Sequence, residues 1–356
     1  MIYSRVYSMK KIIPIIANQS LTKLGVVDDY KSIIWSTRYY EHGDFEITTG
    51  VNTHYYDFLS IGNYVIRPDD DNVGIIEKVE VIITEYDEEI LIASGRFLTQ
   101  ILGRRIIANQ TQVNTDVASA IYKLINDAII NPTIPERKIS NFILGDFTST
   151  QNLKAQYTGR NLYDVIAELS LQYKLGFKIT INSSNQFVFQ LYQGVDRSYD
   201  QEDNPYVVFS DVYDNLLNAQ YQRNARNLVT NVLVAGEGEG DARKTIWVAN
   251  GNPTGLARYE FWDDSRNISS NDGEIPETEY MNQLAEAGKE NLTTYETTFA
   301  GEADFTNMEF KSEVNVGDIC TIENKKLGKY FNARIIEVIE SIDESGKYSI
   351  IPTFGT

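Results

Sequence analysis

The chain offers few side chains for acid–base or metal chemistry. Its 356 residues include two histidines, His42 and His54, and one cysteine, Cys320. A Ser-His-Asp triad needs an imidazole beside a nucleophile, and no G-x-S-x-G motif occurs. His42 falls in a hairpin turn, where we expect a solvent-exposed loop residue, and a single cysteine excludes an internal disulfide and disfavours a zinc cluster. We therefore predict no catalytic, cofactor-binding or metal-binding residue and no enzyme.

An acidic segment matches part of a calcium-binding loop. Asp69, Asp71, Gly74 and Glu80 occupy positions 1, 3, 6 and 12 of that pattern. Position 5 is Val73, however, and the residues after Gly74 favour a strand rather than a helix. We interpret the segment as an acidic turn between two strands.

A glycine-rich segment, Gly236–Gly240, reads GEGEG. It resembles a phosphate-binding loop only in its glycines, because the Lys-Ser/Thr ending is missing and two glutamates would repel a phosphate. We predict a flexible hairpin tip.

The composition is compatible with more than one function. The chain has 50 acidic residues, a net charge of −18 and 23 tyrosines. An acidic chain repels phosphate, so we expect no tight binding of nucleic acid, although solubility also explains the charge. The tyrosines are explained equally well by stacking on sugars or by packing. A β-rich adhesin that binds cell-wall carbohydrate and a muralytic hydrolase with a carboxylate pair remain alternatives.

The elements that would position these residues are mostly strands. The segment Ser32–Ile47 predicts a β-hairpin with Gly43 in its turn, and residues 1–110 predict an antiparallel barrel or sandwich. No apolar run reaches the ~20 residues that cross a bilayer, and the N-terminus predicts a first strand rather than an export signal. The predicted strands of this region are Lys11–Ile16, Ser32–Tyr40, Phe45–Thr49, Tyr64–Arg67, Gly74–Thr84 and Glu89–Ser94.

Helices are predicted after residue 110. The first has its N-cap candidate at Thr115-Asp116 and its stop signal at Asn131-Pro132; the second covers Asn161–Lys174 with Gly176 as its C-terminal cap. A hairpin from Phe177 to Leu191 follows. Further on, the pattern predicts strands at Tyr206–Ser210, Ala219–Gln222, Asn227–Gly236, Glu309–Lys311, Ile319–Glu323, Phe331–Ile342 and Tyr348–Thr353, a loop-rich tract from Glu237 to Thr278, and a helix at Glu279–Leu292.

Two short segments correspond to each other. Residues 61–66 and 316–321 both place a glycine and a polar residue before a strand, with a turn and a long strand after it. The correspondence predicts two related β-barrels, with chance as the other explanation.

Eight segments, taken in order along the chain, form a distinctive series. They are Ile33–Ile47, Leu59–Ile66, Ser94–Ile107, Thr158–Gly176, Gly194–Ser198, Val207–Tyr221, Asn227–Gly238 and Tyr348–Gly355. In this order they resemble the hub proteins of phage tail tips and baseplates. That family includes the siphovirus ReqiPepy-type tail proteins, the N-terminal part of tail-associated lysins and the hubs of contractile tails.

The resemblance implies a β-rich α+β fold with two tail-tube-like antiparallel β-barrels and small inserted α/β domains. The first barrel would be 1–110, the inserted α+β domain 111–205, the second, discontinuous barrel 206–238 with 300–356, and the second inserted segment 239–299. The chain ends soon after Gly355, so we expect no C-terminal peptidase or fibre extension.

The resemblance also implies a structural role in the virion of a phage or a phage-derived, bacteriocin-like particle. The chain would form a homotrimer that adapts the sixfold tail tube or distal tail protein to a threefold spike or fibre. Its ring would line the channel for DNA and the tape-measure protein, with DNA passing through without specific binding. Assembly would take place in the cytoplasm of the host bacterium, without membrane insertion and without a cofactor.

Overall fold

The computed structural model describes residues 11–51, 53–83, 88–213, 215–303, 310–326 and 329–355. Within them, no helix is both long and apolar enough to cross a membrane. The helices are α1 Thr53–Phe58, α2 Val117–Ile125, α3 Leu162–Tyr173 and α4 Glu277–Glu290, and α2 continues as a π-helical turn, Asn126–Ile130. Short 3₁₀ segments cover Leu98–Arg104, Pro135–Arg137, Gly240–Ala242 and Gly255–Ala257.

The strands lie mostly in the two terminal thirds of the chain. They are β1 Ile15–Ala17, β2 Lys23–Val26, β3 Ser32–Arg38, β4 Asp44–Gly50, β5 Tyr64–Ile66, β6 Val73–Ile83, β7 Glu89–Phe97, β8 Thr111–Asp116, β9 Phe142–Leu144, β10 Asn152–Tyr157, β11 Gly176–Ile181, β12 Phe187–Tyr192, β13 Val208–Ser210, β14 Leu216–Asn224, β15 Asn231–Ala235, β16 Thr245–Ala249, β17 Glu260–Asp264, β18 Glu296–Ala303, β19 Ile319–Asn324, β20 Lys329–Ile342 and β21 Tyr348–Gly355.

The described residues divide into two compact units. Unit 1 draws on Met1–Gln100, Gly176–Gln220 and Phe299–Phe354, and unit 2 on Ile101–Leu175, Tyr221–Thr298 and Gly355–Thr356. The four-part domain boundaries expected from the sequence stay a prediction.

Unit 1 carries one large sheet. Its strand order is β14-β18-β21-β20-β3-β4-β7-β6-β5-β1-β2, and β19 pairs with β20 and β13 with β19. The predicted hairpin at Ser32–Ile47 is confirmed, since β3 and β4 pair antiparallel from Ser32↔Thr48 to Ser36↔Asp44. The β-rich α+β class is also confirmed. Two closed barrels are not: in the described part of the chain the pairing of β20 with β3 makes one open, continuous sheet.

The sheet contains the same strand order twice. The order β3-β4-β7-β6-β5-β1 is matched, strand for strand, by β14-β18-β21-β20-β19-β13. We call the first set the N-terminal module and the second the C-terminal module. The outermost pairs differ, because β1 runs antiparallel to β5 whereas β13 runs parallel to β19.

The turn that opens β5 repeats in the turn that opens β19. Gly62 and Gly317 both take the left-handed conformation, with φ of +88° and +101°, which glycine adopts without the strain of a Cβ atom. Each turn makes the same three backbone hydrogen bonds. They are Gly62 N to Ile76 O, Ile76 N to Asn63 O and Asn63 N to Ser60 O, at 2.8, 2.9 and 3.1 Å, and Gly317 N to Ile335 O, Ile335 N to Asp318 O and Asp318 N to Asn315 O, also at 2.8, 2.9 and 3.1 Å.

Each module has its own hydrophobic core. In the N-terminal module Trp35 packs on Phe45 and Phe97, with ring centroids 5.8 and 4.6 Å apart. In the C-terminal module Phe209 packs on Phe354 at 5.0 Å, and Cys320 is buried beside them. Burial raises the pKa of the Cys320 thiol well above its ordinary value, so the thiol stays protonated and acts as a small apolar side chain.

The first helix of unit 2 begins where the sequence predicted, and the second ends differently. The Asp116 carboxylate accepts a hydrogen bond from Ser119 N at 3.0 Å and caps α2. At the C-terminus of α3 the left-handed residue is Lys174, with φ of +58°, so the prediction of Gly176 as the cap was wrong. Gly176 begins β11 in unit 1, where a Cβ atom would lie 2.4 Å from the Tyr39 ring.

The predicted loop-rich tract Glu237–Thr278 contains two strands. In unit 2, β16 pairs antiparallel and β17 parallel with the central strand β15. One face of this three-stranded sheet packs on α4, and the core there is formed by Val232, Val234, Val248, Ile268, Tyr280 and Leu284. The prediction failed because β16 and β17 are short and expose aromatic and charged side chains, which gives no alternating pattern.

Candidate functional site: the seam between the modules

The two modules of unit 1 meet where β20 pairs with β3. Six residue pairs, from Glu337↔Arg38 to Ile342↔Ile33, form this antiparallel ladder. Arg38 reinforces it, because its Nε donates to Glu337 Oε1 at 2.7 Å and its Nη1 lies 2.5 Å from Asp44 Oδ2. We call this ladder the seam.

A buried arginine lies beside the seam. Arg67 directly follows the short strand β5 and is only 1% exposed. Its guanidinium donates to both carboxylate oxygens of Asp69, at 2.7 and 3.1 Å, and to both of Glu340, at 3.2 Å each. It also lies over the Trp35 ring, 5.2 Å from the centroid. Because Glu340 belongs to β20 and Arg67 to the N-terminal module, this pairing crosses the seam.

Three further side chains complete the cluster. Lys311 Nζ lies 2.6 Å from Glu340 Oε1 and 2.6 Å from Asp70 Oδ2, and the Tyr348 hydroxyl donates to Glu340 Oε2 at 2.7 Å. We call the six residues Arg67, Asp69, Asp70, Lys311, Glu340 and Tyr348 the seam cluster.

The electrostatics of the seam cluster keep Glu340 ionised. Burial alone would raise its pKa, but the charges of Arg67 and Lys311 outweigh burial and hold the pKa at about 2. Burial and the neighbouring Glu340 charge raise the pKa of Tyr348, so its hydroxyl remains a donor. A carboxylate held this firmly in its charged form does not exchange protons near neutral pH, so the cluster suits a structural role.

A second polar centre lies in the C-terminal module. Asp318, in the turn before β19, is 2% exposed. Its carboxylate accepts hydrogen bonds from Val195 N at 2.8 Å, Arg197 Nε at 2.9 Å and Asn315 N at 3.0 Å. Close by, the backbones of Gly194 and Gly317 touch, because a Cβ on Gly194 would lie 1.8 Å from the Gly317 oxygen. The Asp318 carboxylate thereby fastens the segment that follows β12 to the C-terminal module.

A comparison with known protein families assigns this chain to one of them. The family described as Siphovirus ReqiPepy6 Gp37-like protein matches residues 13–356. The chain belongs to this family. It is a phage tail structural protein and thus a virion component, and the resemblance to phage tail-tip proteins is confirmed. No curated protein matches the chain.

Solved tail proteins share the fold of this Gp37-like protein over nearly its whole length. The tail protein of Neisseria meningitidis MC58 is 13% identical with a TM-score of 0.58, over 98% of this chain and 97% of that one. Prophage tail protein gp18 of Listeria monocytogenes EGD-e is 12% identical with a TM-score of 0.54, over 98% and 94%. The 43 kDa tail protein of prophage MuSo2 from Shewanella oneidensis is 11% identical with a TM-score of 0.54, over 97% and 98%.

The two histidines of the Gp37-like protein lie in different settings. His42, predicted to be a solvent-exposed loop residue, is half-buried. Arg38 Nη1 donates to its backbone oxygen at 3.2 Å, and Arg96 Nη1 lies 3.3 Å from its Nε2. His54 is exposed on α1, with its ring 4.9 Å from Phe58.

The acidic segment is a turn between β5 and β6, and its carboxylates do not converge. Asp69 pairs with Arg67, Asp71 lies 3.3 Å from Lys178 Nζ, and Glu80 lies 2.7 Å from Lys78 Nζ. Throughout the described ranges, no three His, Cys, Asp or Glu side chains are grouped so that they would hold a metal ion.

The glycine-rich segment lies at the tip of the hairpin that joins β15 to β16, as predicted. Gly238 and Gly240 have φ of +97° and +54°, and Glu237 Oε1 accepts from Ser270 N at 2.9 Å. The segment is therefore fastened on one side to unit 2 rather than open to a phosphate.

Sequence reasoning missed the seam cluster, although one signal was present. In β20 the buried positions alternate as Val338, Glu340 and Ile342, which places a carboxylate on an apolar face. A charge at such a position requires a buried cation, but no pattern in the sequence names Arg67, 273 residues away, as its partner.

Proposed function

We propose that this Gp37-like protein is the hub of a phage tail tip or baseplate and that three copies form a ring. The repeated strand order of the two modules carries the proposal. Three chains with two similar modules each would present six similar surfaces, which matches a sixfold tail tube or distal tail protein above and a threefold spike or fibre below. Closure of the modules into tube-like barrels would then take place within the ring.

The seam supports this role because a ring adapter has to keep its two modules at a constant angle. A six-pair ladder and the buried Arg67–Glu340 ion pair resist sliding and hinging between the modules. Flexible modules would lose the register with a sixfold partner.

The charge supports a channel that lets DNA pass. At a net charge of −18 the ring repels phosphates, so DNA and the tape-measure protein would move through without specific binding. Acidic side chains on the channel wall are part of this proposal.

The hub has no enzymatic role in this proposal. The carboxyl group best suited to act as an acid at neutral pH is Glu290, since burial raises its pKa to about 7. Its side chain is only 7% exposed and accepts from the Tyr157 hydroxyl at 2.9 Å and from Arg160 Nη1 at 3.1 Å. A group closed off in this way has no access to a cell-wall polymer, which weighs against the muralytic alternative.

Immunogold electron microscopy of purified tails tests the position of the protein. The proposal predicts gold particles at the end of the tail opposite the head, and none along the tube. Labelling along the whole tube, or a virion without the protein, would overturn it.

A further inference from the structure

The sheet β16-β15-β17 of unit 2 has one face that α4 does not cover. A cross-strand row lies on it, because Leu233 of the central strand is paired in register with Trp247 on one side and Trp262 on the other. The two tryptophans are 47% and 51% exposed. The chain has three tryptophans, and the third, Trp35, is completely buried. Burial in a core therefore does not account for this row.

Each tryptophan is held by an arginine that precedes the opposite edge strand. Arg243, before β16, lies 5.3 Å from the ring centroid of Trp262, and Arg258, before β17, lies 4.6 Å from that of Trp247. The crossed stacks restrict both indole rings before any partner binds. A partner therefore meets rigid aromatic anchors, and the entropic penalty of binding is small.

The arginines are themselves paired with acids on the same face. Arg243 forms an ion pair with Asp264 and Arg258 with Glu260, and Arg266 shares Asp264 at 3.3 Å. The face therefore carries no excess of negative charge, unlike the chain as a whole.

Leu256 is fully exposed in the loop between β16 and β17, the two strands that carry the tryptophans. Tryptophan and arginine are among the residue types enriched at the centres of protein–protein interfaces. We call Leu233, Arg243, Trp247, Leu256, Arg258 and Trp262 the tryptophan face.

We infer that the tryptophan face binds a second copy of this chain, an inference that rests on the proposed ring. Copies with a charge of −18 repel one another, so they approach most favourably where the charge is balanced and the surface apolar. The three exposed apolar side chains, Trp247, Leu256 and Trp262, offer on the order of 300 Å², over a third of the ~800 Å² per partner in a standard interface.

Removing both indoles tests the inference directly. In the double variant Trp247→Thr/Trp262→Thr, threonine retains the preference for strands while the anchors disappear. We expect the concentration at which the oligomer dissociates, measured by mass photometry, to rise at least about tenfold. The matched control Ile134→Thr/Leu171→Ala removes two half-exposed apolar side chains elsewhere on unit 2 and should leave that concentration unchanged.

Cross-linking gives a second readout that does not depend on the stability of the variants. Leu256→Cys provides a thiol for a maleimide–benzophenone probe, and the native Cys320 is buried and does not compete. Irradiation should give cross-linked copies from Leu256→Cys and none from the control Ser140→Cys, at an exposed site outside the face.

The outcomes separate this inference from the proposed function. A wild-type trimer that persists in the tryptophan variant, without cross-links from position 256, overturns the inference and leaves the ring standing. A wild-type monomer without cross-links contradicts both. If N-acetylglucosamine oligomers shift the tryptophan fluorescence of a monomer, the occupant is a glycan and the inference is wrong.

Discussion

The two modules share a backbone turn but use its polar side chain differently. In the N-terminal module Asn63 Nδ2 donates to Phe58 O at 2.8 Å, which ties the turn to the end of α1 in the same module. In the C-terminal module Asp318, at the equivalent position, accepts from Val195 N and Arg197 Nε, in the segment that follows β12. The comparison shows a repeated backbone frame in which one turn closes its own module and the other fastens a distant segment.

The two modules also differ at one buried position after the turn. Counting from the glycine, Arg67 of the N-terminal module corresponds to Ile322 of the C-terminal module, and both are buried. Ile322 adds to the apolar core of its own module, whereas Arg67 pairs across the seam with Glu340. The repeat is therefore broken at the residue that joins the two modules.

Replacing Arg67, which only the N-terminal module has at this position, should cause the largest loss of stability. Arg67→Met leaves Asp69 and Glu340 without this buried cation. We therefore expect the free energy of unfolding, measured in urea, to fall by about 3–5 kcal/mol. Arg96→Met is the matched control, because Arg96 pairs with Glu77 at 2.7 Å but is 46% exposed, and an exposed pair contributes about 0–1 kcal/mol. Equal losses would show that the seam cluster does not hold the modules together.

Acid should weaken unit 1 through the same cluster. The folded pKa of Glu340, about 2, is below its ordinary value of 4.5. Its stabilisation is therefore complete above pH 4.5 and is lost as the pH falls towards 2. The shift corresponds to about 3 kcal/mol. The free energy of unfolding in urea should decline from pH 7 to pH 3 in the wild type and decline less in Glu340→Gln. Equal declines in the two proteins would contradict this account.

Unit 2 should respond to pH in the opposite direction. The folded pKa of Glu290, about 7, is above its ordinary value of 4.5 because of burial. Its ionisation therefore opposes folding as the pH rises from 4.5 through 7, by about 3 kcal/mol at most. Glu290→Gln should be more stable than the wild type at pH 8 and lose that advantage at pH 5. An advantage of equal size at both values would show that Glu290 does not titrate in this range.

Replacing the two turn glycines, Gly62 and Gly317, with alanine tests how closely each turn is packed. A Cβ at residue 317 would lie 2.3 Å from the Tyr39 ring, whereas one at residue 62 would meet only the flexible end of Gln19 at 2.7 Å. Both substitutions carry the left-handed backbone penalty of about 1–2 kcal/mol. In chemical denaturation we expect Gly317→Ala to lose at least about 1 kcal/mol more of the free energy of unfolding than Gly62→Ala, because the added methyl group overpacks against Tyr39. The reverse order would mean that the turns are not equivalent.

The smallest loss of stability is expected at Asp318, the polar residue that follows Gly317. Asp318→Asn removes charge from the hydrogen bonds to Arg197 and the backbone, and we expect a loss of about 2 kcal/mol. Asp71→Asn, at a side chain that is 79% exposed, is the control and should change stability by less than about 0.5 kcal/mol. A thermal-shift assay separates the two, and a Tm unchanged in both variants would remove Asp318 from its fastening role.

Sequence reasoning recovered features that depend on neighbouring residues. The hairpin at Ser32–Ile47, the cap at Asp116, and the Gly-polar correspondence each rest on local turn or helix chemistry. It missed Lys174 as the residue that ends α3, because a left-handed lysine is rare. The Arg67–Glu340 pair and the Trp247–Leu233–Trp262 row both depend on strand pairing between distant or short segments, which periodicity does not specify.

The central claim, a ring of three chains with two modules each, is tested most directly by the mass in solution. Light scattering on a gel-filtration column should give 121.5 kDa, three copies of the 40.5 kDa chain, and the mass should persist on dilution through the micromolar range. A mass of 40.5 kDa at every accessible concentration would contradict a ring that this chain forms by itself.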